Sequence, residues 1–161
     1  MLIRQAQVSD FPRILDINAT EEEKTSRIDL VRITQLDSWS DYHRVAVVED
    51  EVIGFLLVMS EASDYDGENF RWFAERHRRF LYVDRIVIDR AVARRGVGSA
   101  LYGDLIQFAA THGWSQLCCE INVSPPNPVS HKFHAGFGFK EEGRSAEAGA
   151  SKVVSYQVAE L

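Results

Sequence analysis

The apolar positions of this chain follow two patterns, short dense runs and recurrences at helical spacing. The densest run holds Leu81, Tyr82, Val83, Ile86, Val87 and Ile88. It is β-branched, aromatic and short, which predicts a strand buried on both faces and ended by Asp89-Arg90. Beyond it Val97, Leu101, Leu105, Phe108 and His112 are spaced by four, four, three and four, one face of a helix, with Gly113 at the C-terminal cap position. Val45–Val48 and Val52–Val58, separated by Glu49-Asp50-Glu51, predict an antiparallel hairpin. Weak alternation from Leu2 to Gln7 predicts a first strand, Gln116–Val123 a further buried one, and Phe139–Glu142 and Val153–Val158 the last two.

Caps and breakers mark the remaining helices. Ser9-Asp10 offers an N-terminal cap, with Pro12 in the first turn and Ile14, Leu15 and Ile17 after it, predicting a helix over 10–18. Ile28, Val31 and Ile33 to Leu36 suggest a second helix, and the run Glu21-Glu22-Glu23 between them is expected on a solvated helix edge. Residues 59–80 break the pattern, since Tyr65, Phe70, Trp72 and Phe73 stand among many charges and only Asn69 to Arg79 has helical character. A segment this long is commonly functional. Two readings stay open for it: a flap over a substrate, and a surface helix that packs Phe70 and Phe73 into the core. Pro125, Pro126 and Pro128 end the strand before them, because proline cannot donate to a ladder, and a helix opens at Asn127.

Composition narrows the classes. With 161 residues, 45% apolar and 26% charged, the chain is expected to form a single domain over 1–161. A net charge of −6 argues against nucleic acid or an anionic membrane as partner. No stretch approaches the ~20 apolar residues of a membrane span, and the opening MLIRQAQVSDF lacks a signal-peptide core. A cytoplasmic location is expected. Cys118 and Cys119 are adjacent in a strand, so they face opposite ways and neither pair nor share a metal.

The turn from the dense strand into its helix carries the candidate chemistry. Gly96 and Gly98 allow a tight turn and close backbone approach, and the free N–H groups of a helix start attract an anion, with Arg94 and Arg95 beside them. Gly98 is followed by Ser99-Ala100, not by the Lys-Ser or Lys-Thr of a nucleoside-triphosphatase loop, and Leu101 stands where a dinucleotide fingerprint needs a third small residue. Residues 93–98, Ala-Arg-Arg-Gly-Val-Gly, resemble the pyrophosphate loop of the Gcn5-related N-acetyltransferase (GNAT) superfamily, with Ala93 in place of the usual Gln or Arg. Further on, Asn127 and Gly138-Phe139 fit that family's spacing, and His134 occupies its tyrosine position.

The resemblance implies an α/β (α+β) fold: a mixed, mostly antiparallel sheet flanked by helices, with central strands splayed so that the pantetheine arm of acetyl-CoA inserts between them. It assigns the cofactor to Ile86, Val87 and Ile88 on the strand, to Arg94, Arg95, Gly96, Val97, Gly98 and Ser99 in the loop, and to Asn127, Ser130 and Phe133 on the following helix. Tyr65, Phe70 and Trp72 are expected on the acceptor side. An ammonium has a pKa near ~10.4, so a base must act before attack. Asp84 is the first candidate, against an ion pair with the neighbours of Arg85 or a strand-edge surface charge, and Glu120 the second. His134 is either the acid that protonates the leaving thiolate or a histidine that merely packs. No metal is expected. The implied activity is N-acetyl transfer by direct attack of a small-molecule or peptide amine, in a monomer or homodimer. The alternatives are a non-catalytic acyl-CoA-binding module, suggested by Ala93 and His134, and covalent transfer through Cys118 or Cys119.

Overall fold

The computed structural model describes residues 1–145 and 151–161. In chain order these form β1 (Leu2–Gln5), α1 (Phe11–Ala19), α2 (Leu30–Trp39), β2 (Tyr42–Val48), β3 (Glu51–Ser60), α3 (Glu68–Ala74), β4 (Leu81–Ile88), α4 (Val97–His112), β5 (Gln116–Ser124), α5 (Pro128–Ala135), β6 (Lys140–Arg144) and β7 (Val153–Glu160). The strands make one sheet in the order β1-β2-β3-β4-β5-β7-β6. Every neighbouring pair is antiparallel except β4 and β5, which run parallel and meet only at Leu81↔Leu117 and Tyr82↔Cys118. Past those two pairs the strands part.

Both faces of the sheet are covered, which is why β3 and β4 read as nearly continuous apolar runs. On one face Phe11, Ile14 and Ile17 of α1, Ile33 and Leu36 of α2, and Phe70 and Phe73 of α3 pack on Phe55, Leu57, Met59, Tyr82 and Cys118. On the other, Val97, Leu101, Tyr102, Leu105 and Ala109 of α4 pack on Leu56, Val58, Leu81, Val83, Leu117 and Cys119. The two cysteines thus do face opposite layers.

Several boundaries differ from the sequence expectation for identifiable reasons. The first strand stops at Gln5, and Asp10 stands at the N-cap of α1 without capping it. Its carboxylate turns back instead, accepting from Arg4 at 2.7 and 2.9 Å and from the Gln7 amide at 2.8 Å. Asp29 does cap α2, accepting from the Arg32 amide at 2.8 Å. Glu21 to Glu23 lie in a turn after α1 and not on a helix edge, and the helix in the 59–80 segment ends at Ala74. The alternative left open for that segment resolves toward packing, since Phe70 and Phe73 are buried.

Candidate active site

The start of α4 is shaped by a left-handed residue, Gly96 (φ +78°), that serves as its N-cap, and Arg94 two residues earlier is also left-handed (φ +68°). The helix's first turn begins with Val97, Gly98 and Ser99, whose amides have no carbonyl one turn back to bond. The two glycines are needed for different reasons. A Cβ on Gly96 would touch nothing, so its backbone conformation is the requirement, whereas a Cβ on Gly98 would lie 3.2 Å from the Phe133 ring of α5. Phe133 therefore closes over the loop, and α5 is fixed there by Asn127, which accepts from the Ser130 amide at 3.3 Å.

From this helix start a cleft of about 840 Å³ runs between the parted strands. It is lined by Ile86, Val87 and Ile88 on β4 and Ile121 and Asn122 on β5, and further by Tyr65, Gly67, Asn69 and residues 24–26. Because β4 pairs with β5 only at residues 81 and 82, the backbone of its second half has no strand partner on the cleft side. The loop, the bare strand edge and the Gly98–Phe133 contact together make a slot that suits a long ligand ending in phosphates.

Four carboxylates line the cleft, Glu21, Glu68, Asp84 and Glu120, and the last two lie on the parted strands. Glu120 on β5 accepts from the Tyr82 hydroxyl at 2.6 Å and from the Asn69 side chain. Burial pushes its pKa up to about 7; the Tyr82 hydrogen bond opposes that shift and the nearby Asp84 charge adds to it. Asp84 sits at an irregularity in β4, where Val58 pairs with Val83 but Leu57 pairs with Arg85, leaving one extra residue. Such a bulge re-aims side chains. Here it lets Asp84 and Arg85 meet, with Arg85 Nε donating to Asp84 Oδ2 at 2.7 Å, while the Tyr65 hydroxyl donates to Oδ1. Both oxygens of Asp84 are thus engaged, so the ion-pair reading applies to it.

His134 is among the residues that line the cleft, though it is only 4% exposed. Its Nδ1 faces the Ser130 carbonyl at 2.8 Å and therefore carries the proton, and its Nε2 accepts from the Tyr102 hydroxyl at 2.7 Å. Burial lowers its pKa below the usual histidine range. A neutral ring with its one N–H given to a backbone carbonyl has no proton to offer a leaving group, and this geometry speaks against His134 as acid. Burial also raises both thiols, Cys118 and Cys119, well above the usual range, which opposes a thiolate nucleophile.

Of the residues expected on the acceptor side, Tyr65 lines the cleft. Phe70 packs edge-on against Tyr65 and Tyr82 within the core, and Trp72 stacks on Tyr156 at 4.2 Å with Arg76 over its other side, so neither reaches the cleft. Among the expected cofactor residues, Ile86, Val87, Ile88, Arg94, Gly96, Val97, Gly98, Ser99, Asn127, Ser130 and Phe133 all line it, and Arg95 does not. Sequence reasoning missed Tyr82 and Asn69 as partners of Glu120, and Arg85 as a buried anchor. Their aromatic or charged character gave no sign of it, because the signal lies in the bulge. Among the described residues no cluster of His, Cys, Asp and Glu could hold a metal, and no helix is long and apolar enough to cross a membrane.

Comparison with known proteins meets this geometry from another direction. The model of the acetyltransferase (GNAT) family matches residues 4–139. A search of proteins of curated function finds no match. Among solved structures, the chain is similar to ribosomal-protein-alanine N-acetyltransferase from Brucella melitensis (22% identity, TM-score 0.73, covering 100% of each chain). It is also similar to Ard1 from Thermoplasma volcanium (17%, TM-score 0.79, covering 99% of this chain and 97% of that one). A third is yncA from Salmonella typhimurium, solved with its cofactor acetyl-CoA (18%, TM-score 0.73, covering 99% and 93%). At these identities the structures testify to the fold, while the family match spans most of the sequence: the chain belongs to the GNAT acetyltransferase family, whose members use acetyl-CoA.

Proposed function

We propose that the protein transfers an acetyl group from acetyl-CoA to a primary amine, with Glu120 as the base. The observation that carries this reading is that a carboxylate with a pKa near 7 lines the same cleft as a helix start with free amides. A base poised near the working pH is the kind that general-base catalysis favours.

Acetyl-CoA supplies the thioester carbon and the leaving thiolate. The amides from Arg94 through Ser99 hold its diphosphate, and the bare edge of Ile86 to Ile88 holds its arm and offers an N–H to the carbonyl oxygen. Glu120 takes a proton from the acceptor nitrogen as the new C–N bond forms and the C–S bond breaks. A thiolate whose conjugate acid titrates near ~8.5 needs only modest help to leave. That fits a site in which His134 holds its proton elsewhere. Tyr65 and the 24–26 segment border the acceptor, a small molecule or the amine of a peptide. Similarity to ribosomal-protein-alanine N-acetyltransferase supports the peptide case, and the net charge of −6 disfavours nucleic acid.

Calorimetry with coenzyme A, followed by a thiol-release assay across small amines and peptides, tests this. Binding together with release for at least one acceptor is expected, and release should fall at least a hundredfold in Glu120→Gln. Tight binding without release for any acceptor would favour a non-catalytic binding module. An acylated protein found by mass spectrometry after incubation with acetyl-CoA alone would favour transfer through a cysteine.

A further inference from the structure

The Asp84–Arg85 pair reaches two separate segments of the chain. The side chains are 3% and 6% exposed, so both charges are withdrawn from water and need partners. Arg85 finds them at the end of α1 and in the stretch after it, donating from Nη1 to the Ser26 carbonyl at 2.9 Å and to Asn18 Oδ1 at 3.1 Å, and from Nη2 to the Ser26 hydroxyl at 3.1 Å. Asn18 in turn donates to the same Ser26 carbonyl at 3.0 Å. Asp84 finds its second donor in Tyr65, from the segment before α3. Ser26 and Tyr65 both line the cleft. A further tie joins α2 to the 65–67 segment: Arg32 pairs with Asp66 at 2.8 Å and lies over the Trp39 and Tyr65 rings at 5.4 and 6.0 Å.

A base needs an oxygen aimed at the acceptor, and Asp84 spends its oxygens on Arg85 and Tyr65. The geometry points to another role: Asp84 and Arg85 are positioning residues that clamp residues 24–26 and 65–67 at the separation that admits the acceptor amine. This rests on reading the cleft as an acetyl-transfer site. The bulge in β4 is what makes the clamp, because regular alternation would send adjacent side chains to opposite faces.

The test compares the full chain with Asp84→Asn and Tyr65→Phe. With an amine that supports thiol release, the KM for the amine should rise about tenfold or more in Asp84→Asn and a few-fold in Tyr65→Phe. The pH limb of kcat that belongs to Glu120 should persist, in place in Tyr65→Phe and moved to lower pH in Asp84→Asn by loss of the neighbouring charge, and coenzyme A affinity should remain within about twofold. Amide hydrogen exchange should quicken over residues 20–28 and 61–67 in Asp84→Asn. Loss of the pH limb in Asp84→Asn would make Asp84 the base and overturn the clamp, as would unchanged KM and exchange in both variants. If Asp84→Asn fails to fold, Tyr65→Phe decides alone, since it deletes a single hydroxyl. If no amine supports release in the wild type, acetyl transfer is the reading that fails, and hydrogen exchange still decides whether the clamp exists.

Discussion

Tyr82, in the last residue pair that β4 shares with β5, donates its hydroxyl at 2.6 Å to Glu120, two residues past its strand partner Cys118. That hydroxyl stabilises the carboxylate and so holds its pKa below the level that burial alone would set.

Tyr82→Phe removes the donor and keeps the ring, which stacks with Tyr65 at 6.0 Å. The Glu120 pKa should then rise further, and the ascending limb of the pH–rate profile should move to higher pH by about one unit, with lower activity at pH 7. A profile of kcat/KM from pH 5.5 to 9 checks this.

Glu120 also weakens the fold at high pH. Its carboxyl titrates near 4.5 in the unfolded chain and near 7 in the native one. Below both values it is neutral in both states and costs nothing. As pH rises from 4.5 to 7 the unfolded chain releases this proton first, and stability drains away until the native group ionises as well. Glu120→Gln escapes that loss, and by linkage it should exceed the wild type by up to about 3 kcal/mol at pH 8 and by little at pH 4.5. Urea unfolding at the two pH values checks the sign. The most reactive group of the site would then be one that the fold tolerates and does not require.

Gly98→Val should lower coenzyme A affinity at least a hundredfold in calorimetry. The branched side chain meets the Phe133 ring and covers the amides at the helix start. Adding Phe133→Leu relieves the clash within the protein, and affinity should still stay low because the amides remain covered.

Much of this arrangement was legible in the residues. β4, α4 and the glycine turn between them came from apolar spacing and two small residues, since burial on both faces and a 3.6-residue period leave direct marks. The parting of β4 from β5 was expected only through the family resemblance, although Pro125, Pro126 and Pro128 mark where β5 must end. The carboxylates were harder. Asp84 and Glu120 were both named, but their ranking depended on who donates to whom. Sequence does not show that a bulge turns Asp84 toward Arg85, or that burial raises Glu120 while the Tyr82 hydroxyl donates to it. Phe70 and Trp72 were placed at the acceptor by reading the long 59–80 segment as a flap, with packing of Phe70 into the core as the alternative. The core took the first and Tyr156 the second.

The seam of two residue pairs between β4 and β5 has a mechanical consequence. It divides the sheet into a four-stranded slab, β1 to β4, and a three-stranded one, β5 to β7, stitched at a single corner. A molecule that bonds to the exposed rim of the larger slab while resting on the smaller one supplies rungs the polypeptide itself omits. Ligand and protein would then melt as one body, and the melting temperature should climb with coenzyme A concentration in the logarithmic manner of a ligand that binds the native state alone.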